Sequence, residues 1–333
     1  MPAPPTFTPS TACLTLVRCL ADGIGRDEAD LQAFIGAHRA LSQILAEVAD
    51  LGLCIRSDAG GRHRLDSPLE LLDAADVLAC LDQRSRPLLG RLELLDSVDS
   101  TSQRLLDGAR AGRPSGSVCL AEHQAAGRGR SGRRWISPYA SNLYLSILWR
   151  FPGELLRLSG LSCAMGVAAA RALRAEGAAE VRLKWPNDLV WGERKLGGVL
   201  VDVVAGGPDA VLAVVGIGIN VAMPEDVAAD IDQPWTDLRS VSVRVPSRNR
   251  LAGVLIHHLL LSLAEFDGVG LQPFLDEWET LDTVRGRPVT LRWANQFVNG
   301  VALGIDAEGA LRLARQGRTE RYRAGEVSLR LSP

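Results

Sequence analysis

Residues 121–135, AEHQAAGRGRSGRRW, concentrate the chemistry of this chain in one stretch. Four arginines, Arg128, Arg130, Arg133 and Arg134, fall within seven residues, separated by Gly127, Gly129 and Gly132. Arginine offers a planar fork of donors that fits phosphate oxygens, and glycine lets the backbone approach a ligand closely. A strand end running into such a loop suits a polyphosphate. Repulsion among the guanidinium groups implies a loop that moves when empty. The stretch also spells G-x-G-x-x-G, but a dinucleotide fingerprint needs a helix opening at the third glycine and an acid about 20 residues on. Here Gly132 leads into RRWISPYASNLYLSILW, which reads as turn then strand. The plainer alternative is a solvated basic loop.

Three further clusters carry polar groups at element ends. Asp99-Ser100-Thr101-Ser102 stands at a strand-to-helix turn, where hydroxyls ordinarily serve as N-caps. Lys184-Trp185-Pro186-Asn187-Asp188 follows strand VRL. Its proline ends the strand and presents Lys184, Asn187 and Asp188 together, as a site or as a tight turn with a surface ion pair. Arg194-Lys195-Leu196-Gly197-Gly198 leads into strand VLVDVV, and Leu212–Val221, LAVVGIGINV, reads as a buried strand in which Gly216 and Gly218 permit close approach. A phosphate-cradling P-loop is excluded, because G-x-x-x-x-G-K-[ST] is absent.

Taken together, GRGRSGRRW, KWPNDL, RKLGGVLVD and VGIGINV resemble the motifs of biotin–protein ligases, in that family's order and at plausible spacing. The resemblance covers roughly Leu92 to Arg330. It implies an ATP-dependent ligase that forms biotinyl-5′-AMP and passes biotin to one lysine of a biotin carboxyl carrier protein, with biotin, ATP and Mg2+ as ligands. The basic loop would bind the adenylate through Gly127, Arg128, Gly129, Arg130 and Arg133. Ser100 and Thr101 match hydroxyls that bond the biotin ureido group, and Ser102 stands where the family has Asn. Gln124 matches a glutamine on the biotin head, and Ala125 follows where some relatives have a second Gln. Trp135 would wall the ring system. Lys184 and Asp188 would lie near the reacting phosphate, with Asp188 placing Mg2+, and Asn187 beside them on the nucleotide. Lys195 matches the lysine that contacts the biotin carboxylate, and Gly198 lets the alkyl tail lie against the backbone. Asn220 matches a position beside the nucleotide, and Trp235 one that covers adenine. Glu326 and Arg330 match positions tied to nucleotide binding or acceptor engagement.

The elements that must position these residues follow an α+β plan. Residues 1–68 hold a Pro-rich tail and short helices at Leu14–Leu20, Asp30–Ile35 and Arg39–Leu51. Strands at Cys54–Arg56 and His63–Leu65 then flank a turn. Three helices and a β-wing resemble the winged-helix domain of the family's bifunctional members, which implies operator DNA as a second partner. The candidate recognition helix carries His38, Arg39, Ser42 and Gln43 but also Glu47 and Asp50, and the wing carries Arg56, Arg62, His63 and Arg64. Pro68–Leu81 reads as a helical link. Residues 69–283 form the expected ligase domain, resembling a class II synthetase-like α/β fold with a mixed sheet. Its strands are Leu92–Val98, Ser117–Glu122 and Asn142–Trp149, and its helices Leu161–Arg174, Ser247–Asp267 and Phe274–Leu281. In residues 284–333, Pro288–Trp293, Gly300–Ile305, Ala310–Leu313 and Thr319–Leu329 alternate apolar and polar residues between Gly-containing turns, resembling an SH3-like β-barrel.

Composition narrows the class. At 333 residues about two or three domains are expected. A net charge of −2 argues against a general polyanion binder, so anion contacts must come from local patches. Six cysteines show no metal-ligand spacing and read as free thiols in a reducing cytoplasm. Adjacent His257 and His258 point to different helix faces and make no metal pair. There is no signal-peptide pattern, and no apolar run approaches the ~18 residues of a membrane span. A homodimer is expected from the resemblance. Competing readings are a lipoate–protein ligase, whose Arg-rich Gly-Gly-Gly signature is missing, a biotin-sensing DNA-binding regulator without ligase activity, and a monofunctional ligase with a vestigial head domain.

Overall fold

The computed structural model describes residues 8–36, 39–207, 209–228, 231–293, 296–324 and 327–331; His38, Gly325 and Glu326, and the side chain of Arg330, lie outside the described set. The chain begins with α1 (Thr11–Leu20), α2 (Glu28–Ile35) and α3 (Leu41–Asp50). The Ser10 hydroxyl caps α1 by accepting from the Cys13 N–H, and the Asp27 carboxylate caps α2 by accepting from Asp30. Leu16, Val17, Leu20, Leu31, Ile44 and Val48 meet in a closed apolar cluster. Strands β1 (Ile55–Ser57) and β2 (His63–Leu65) pair antiparallel, and Asp58 fixes their turn by accepting from the Gly60 and Arg62 N–H groups at 2.8 and 3.0 Å. Helices and hairpin thus fall within a few residues of their expected bounds.

The link after the hairpin differs from expectation. Only α4 (Ala74–Ala79) is helical within 68–81. The reason is that the backbone and side chain of Glu70 are committed elsewhere. Its carboxylate accepts from the N–H groups of Arg248 (2.8 Å) and Asn249 (3.2 Å), and its carbonyl accepts from the Arg248 guanidinium (2.7 Å). The Leu69 N–H donates to Ala21 at 2.8 Å. Extended chain reaches both partners where a helix would not.

The central domain runs β3 (Arg91–Leu95), α5 (Thr101–Arg110), β4 (Ser117–Ala121), β5 (Leu143–Pro152), α6 (Leu161–Ala175), β6 (Arg182–Lys184), β7 (Asp188–Trp191), β8 (Arg194–Ala205), β9 (Ala210–Ile219), α7 (Glu225–Ala228), α8 (Leu238–Val241), α9 (Arg248–Val269) and α10 (Leu275–Leu281). Its seven strands lie in the order β3-β4-β5-β9-β8-β7-β6, with β3 parallel to β4 and every other pair antiparallel. Side chains alternate across a strand. On β5, Leu143, Leu145 and Ile147 face the core shared with α6 and α9, while Leu148 packs with Leu105 and Ala109 of α5. On β9, Ala213, Val215, Ile217 and Ile219 take the first face and Leu212 and Val214 the second. Ser146, Gly216 and Gly218 therefore belong to the α5 face. Helix α9 is long and apolar enough to cross a membrane by length and composition, but Leu251, Leu255, Leu259, Leu263 and Phe266 are spent in the core.

The last domain is an antiparallel sheet of β10 (Pro288–Trp293), β11 (Gln296–Ile305), β12 (Leu311–Arg315), β13 (Arg318–Tyr322) and β14 (Val327–Leu331), in the order β13-β12-β11-β10-β14. The stretch expected as one strand over Thr319–Leu329 is two, because the chain leaves one edge after Tyr322 and returns beside β10 at the other. Val289, Leu291, Leu311 and Leu313 join the central core, and the Trp185 indole donates to the Gly309 carbonyl at 3.1 Å.

Candidate active site

The residues of the four motifs converge on one cavity of about 480 Å³ on the α5 face of the sheet. Its floor is polar and buried. Ser100 caps α5, and Ser100, Thr101 and Ser102 are each 5% exposed or less. The Gln124 side-chain carbonyl accepts from the Thr101 N–H (2.9 Å) and the Thr101 hydroxyl (3.1 Å), and its amide donates to the Ser137 hydroxyl (3.1 Å). Ser146 lies 2.8 Å from the Thr101 hydroxyl and 2.9 Å from that of Ser102. Ser146 and Ser137 were not legible as site residues. For Ser146 the available signal was a lone serine inside the apolar run LYLSILW.

One wall is set by glycine. A Cβ on Gly218 would stand 2.4 Å from the Trp135 ring, and one on Gly216 2.5 Å from the Ser102 hydroxyl. Both positions let a side chain or ligand lie flat on β9. The Trp135 ring also sits 5.5 Å beneath the Lys195 ammonium, a cation–π distance.

Over the cavity the basic stretch forms a short hairpin. The Gly129 N–H donates to Arg133 (2.7 Å) and the Trp135 N–H to Gly127 (2.8 Å), with Ser131 at φ 56° in the turn. Two of its arginines have partners. Arg128 pairs with Asp202 at 2.8 Å. Arg130 donates to the Asn187 side-chain oxygen at 3.2 Å and to the Ala324 carbonyl of the C-terminal domain. Burial lowers the Arg130 guanidinium pKa from its usual range, and Asp188 opposes that shift.

The opposite rim carries Asn187, which donates to the Val199 carbonyl at 2.8 Å, and Lys195, whose ammonium lies 2.7 Å from Asp188. Lys195 is held by its backbone, its N–H donating to Pro234 and its carbonyl accepting from Thr236, both at 2.9 Å, which brings Trp235 beside it. Asn220 is buried and donates to the Thr236 carbonyl at 3.0 Å. Its side-chain oxygen and the Trp135 indole N–H have no hydrogen-bond partner among the described residues. Buried polar atoms are nearly always bonded, so both mark places for a ligand or water.

Of the residues singled out in the sequence, Ser100, Thr101, Ser102, Gln124, Arg128, Gly129, Arg130, Arg133, Trp135, Asn187, Lys195, Gly198, Asn220 and Trp235 line this cavity. Gly127 lies under the hairpin, where a Cβ would meet the Trp135 carbonyl at 2.5 Å. Asp188 reaches the site through Lys195. Lys184 ends β6 opposite Asp188 and is outside the lining.

A buried hydrogen-bonding floor, a fixed ammonium on one rim and a cationic hairpin over the mouth suit an enzyme that joins a carboxylic acid to a nucleotide. Comparison with known proteins sharpens this class. Residues 94–220 match the biotin/lipoate A/B protein ligase family, and residues 285–330 the biotin protein ligase C terminal domain. The chain is 39% identical over 323 residues to the bifunctional ligase/repressor BirA of Escherichia coli (strain K12), covering 96% of this chain and 98% of that one. It is 34% identical over 272 residues to the biotin–[acetyl-CoA-carboxylase] ligase of Mycobacterium tuberculosis, covering 80% and 97%. Its structure is similar to that of the biotin protein ligase from Aquifex aeolicus in complex with biotin and ATP, with a TM-score of 0.62 and 27% identity over 73% of this chain and 99% of that one. The chain belongs to the biotin–protein ligase family.

Proposed function

We propose that this chain activates biotin with MgATP to biotinyl-5′-AMP and pyrophosphate, and then transfers biotin to one lysine of a biotin carboxyl carrier protein, releasing AMP. The observation that carries this reading is the continuity of the buried floor at Ser100–Ser102 and Gln124 with the cationic hairpin over a single cavity. The head group of biotin lies on the floor, with Trp135 beside it and its tail passing Gly198 toward Lys195. The Lys195 ammonium exchanges Asp188 for the biotin carboxylate. It thereby offsets repulsion between that carboxylate and the α-phosphate and stabilises the charge that develops in transfer. Arg128, Arg130 and Arg133 hold the phosphate, with Lys184 and Asn187 on the nucleotide, Asn220 beside it and Trp235 over the adenine. No enzyme nucleophile is needed, since the adenylate is itself a good acyl donor, and positioning supplies the rest. Closing the hairpin keeps water from the anhydride.

Magnesium belongs to the MgATP substrate, where it neutralises phosphate charge. Among the described residues no group of three His, Cys, Asp or Glu side chains could hold a metal ion. Asp188 is the carboxylate that would share the ion with phosphate oxygens, which fits the preference of magnesium for few protein ligands.

The domains divide at 1–68, 69–283 and 284–333. The first is a winged-helix head and the last an SH3-like barrel. Arg62 and Arg64 are exposed on the head's hairpin, which favours operator DNA as a second partner, while Arg39 is paired with Glu47 at 2.6 Å. A homodimer through the central sheet is favoured by β8. Its pairing with β7 stops at Gly198, so the edge of residues 199–205 faces away from β9 with no strand paired to it among the described residues. The cytoplasm is the compartment that suits ATP and a carrier protein substrate. Incubation with biotin, MgATP and a carrier domain tests the reading. A gain of one biotinyl group on the carrier, seen by mass spectrometry, is expected, and an unmodified carrier would overturn it.

A further inference from the structure

The hydroxyls on the cavity floor form a chain whose direction is fixed by its two ends. The Gln124 side-chain oxygen faces the Thr101 N–H at 2.9 Å, so the amide cannot be turned without setting donor against donor. Its nitrogen, at the other end, donates to Ser137 (3.1 Å), which spends its own proton on the Trp135 carbonyl (3.0 Å). The Thr101 hydroxyl lies 3.1 Å from the Gln124 oxygen, which only accepts, so the Thr101 proton is committed there. Ser146, 2.8 Å away, must then donate to Thr101, and Ser102, 2.9 Å from Ser146, must donate to Ser146. Each hydroxyl has one proton to give. The relay therefore reads Ser102 to Ser146 to Thr101 to Gln124.

We propose that Ser146 is a positioning residue that sets which hydrogen-bonding groups the floor presents, and so makes the site selective for a head group bearing N–H. Its oxygen takes the Ser102 proton away from the cavity, and its own proton fixes Thr101. Thr101 and Ser102 then offer only lone pairs to a ligand. Ser100, whose oxygen caps α5 by accepting from Gln103, retains a proton to give. One donor beside acceptors complements a carbonyl flanked by N–H, the edge of a cyclic urea. The inference rests on the biotin reading above, and it accounts for a serine at position 102. A hydroxyl at 102 can pass its proton to Ser146, and the Gly216 backbone leaves no room beneath it, since a Cβ there would stand 2.5 Å from the Ser102 oxygen.

The test compares Ser146→Ala, Ser102→Ala and the double variant in ATP–pyrophosphate exchange. The two ligands are biotin and an analogue with one ureido N–H replaced by oxygen. In Ser146→Ala the Ser102 proton turns into the cavity and meets the ligand N–H. The KM for biotin should rise about tenfold with kcat little changed, and discrimination against the oxygen analogue should narrow. Ser102→Ala removes the hydroxyl through which Ser146 acts, so Ser146→Ala should raise the KM for biotin less in the Ser102→Ala background than in the unaltered chain. Unchanged KM and discrimination in Ser146→Ala, a loss confined to kcat, or an equal rise in KM in both backgrounds would each overturn the relay. Absence of biotin-dependent exchange in the unaltered chain would instead overturn the reading on which it rests.

Discussion

The ammonium of Lys195 lies 2.7 Å from a carboxylate oxygen of Asp188, so the two charges proposed to handle different substrates neutralise each other across the cavity rim. Both side chains are largely shielded, at 14% and 21% exposure, which makes the pair more than a surface contact. Backbone bonds at Pro234 and Thr236 hold Lys195 in place whichever anion it faces.

This pairing separates the two steps of substrate capture. In Asp188→Asn, Lys195 loses its resident anion and the biotin carboxylate no longer competes for it. Biotin affinity should hold or rise severalfold while adenylate formation falls by about 10²–10³. Lys195→Gln should weaken both. Calorimetric biotin titration beside single-turnover adenylation checks this, and a parallel loss of biotin affinity in Asp188→Asn would remove the exchange of partners from the account.

Arg128 and Arg130 are anchored to different bodies, one to β8 through Asp202 and the other to Asn187 and the Ala324 carbonyl. Charge-assisted bonds contribute about 1.5–3 kcal/mol. Arg128→Ala and Arg130→Ala should each speed release or hydrolysis of the adenylate by roughly 10- to 100-fold. Trapping the intermediate in the absence of carrier measures it. Retention equal to that of the unaltered chain in both variants would show that the hairpin does not seal the site.

Gly218 leaves the room in which the Trp135 ring lies against β9. Gly218→Ala would place a methyl 2.4 Å from the Trp135 ring and push the indole toward the cavity. Overpacking of this kind costs about 1–3 kcal/mol. Biotin affinity should fall by at least about tenfold, more than any loss in melting temperature accounts for. Undiminished affinity would mean that Trp135 does not wall the pocket.

His123, beside Gln124, is half-buried, and desolvation with help from Arg134 holds its imidazole down at about 4, against an ordinary value of 6.5. The folded chain thus carries it neutral, and protonation favours unfolding. Its contribution is complete above pH 6.5 and is lost as pH falls toward 4, at up to about 1.4 kcal/mol per unit. His123→Gln should flatten that part of the stability profile. Urea unfolding at several pH values between 7 and 4 reads the slope, and equal slopes in both proteins would exclude His123 as the source.

Much of the site was legible because its residues sit in short local motifs at strand ends, where spacing alone gathers them. Lys184-Trp185-Pro186-Asn187-Asp188 and Arg194–Gly198 are instances, and the pairing of β7 with β8 brings them together. Ser146 was not legible, since its partners Thr101 and Ser102 lie more than 40 residues away and only the order of strands unites them. The same limit explains the misread link. Its apolar spacing suits a helix, but Glu70 is claimed by the start of α9 far along the chain. Likewise the alternation of 319–329 continues through a break that only the edge-to-edge path of β13 and β14 reveals.

Biotin-dependent ATP–pyrophosphate exchange by the purified chain tests the proposed activation of biotin most directly. Exchange that requires both biotin and MgATP, and that collapses in Lys195→Gln, is the predicted result. No exchange above background at saturating biotin and MgATP, in folded protein, would contradict it.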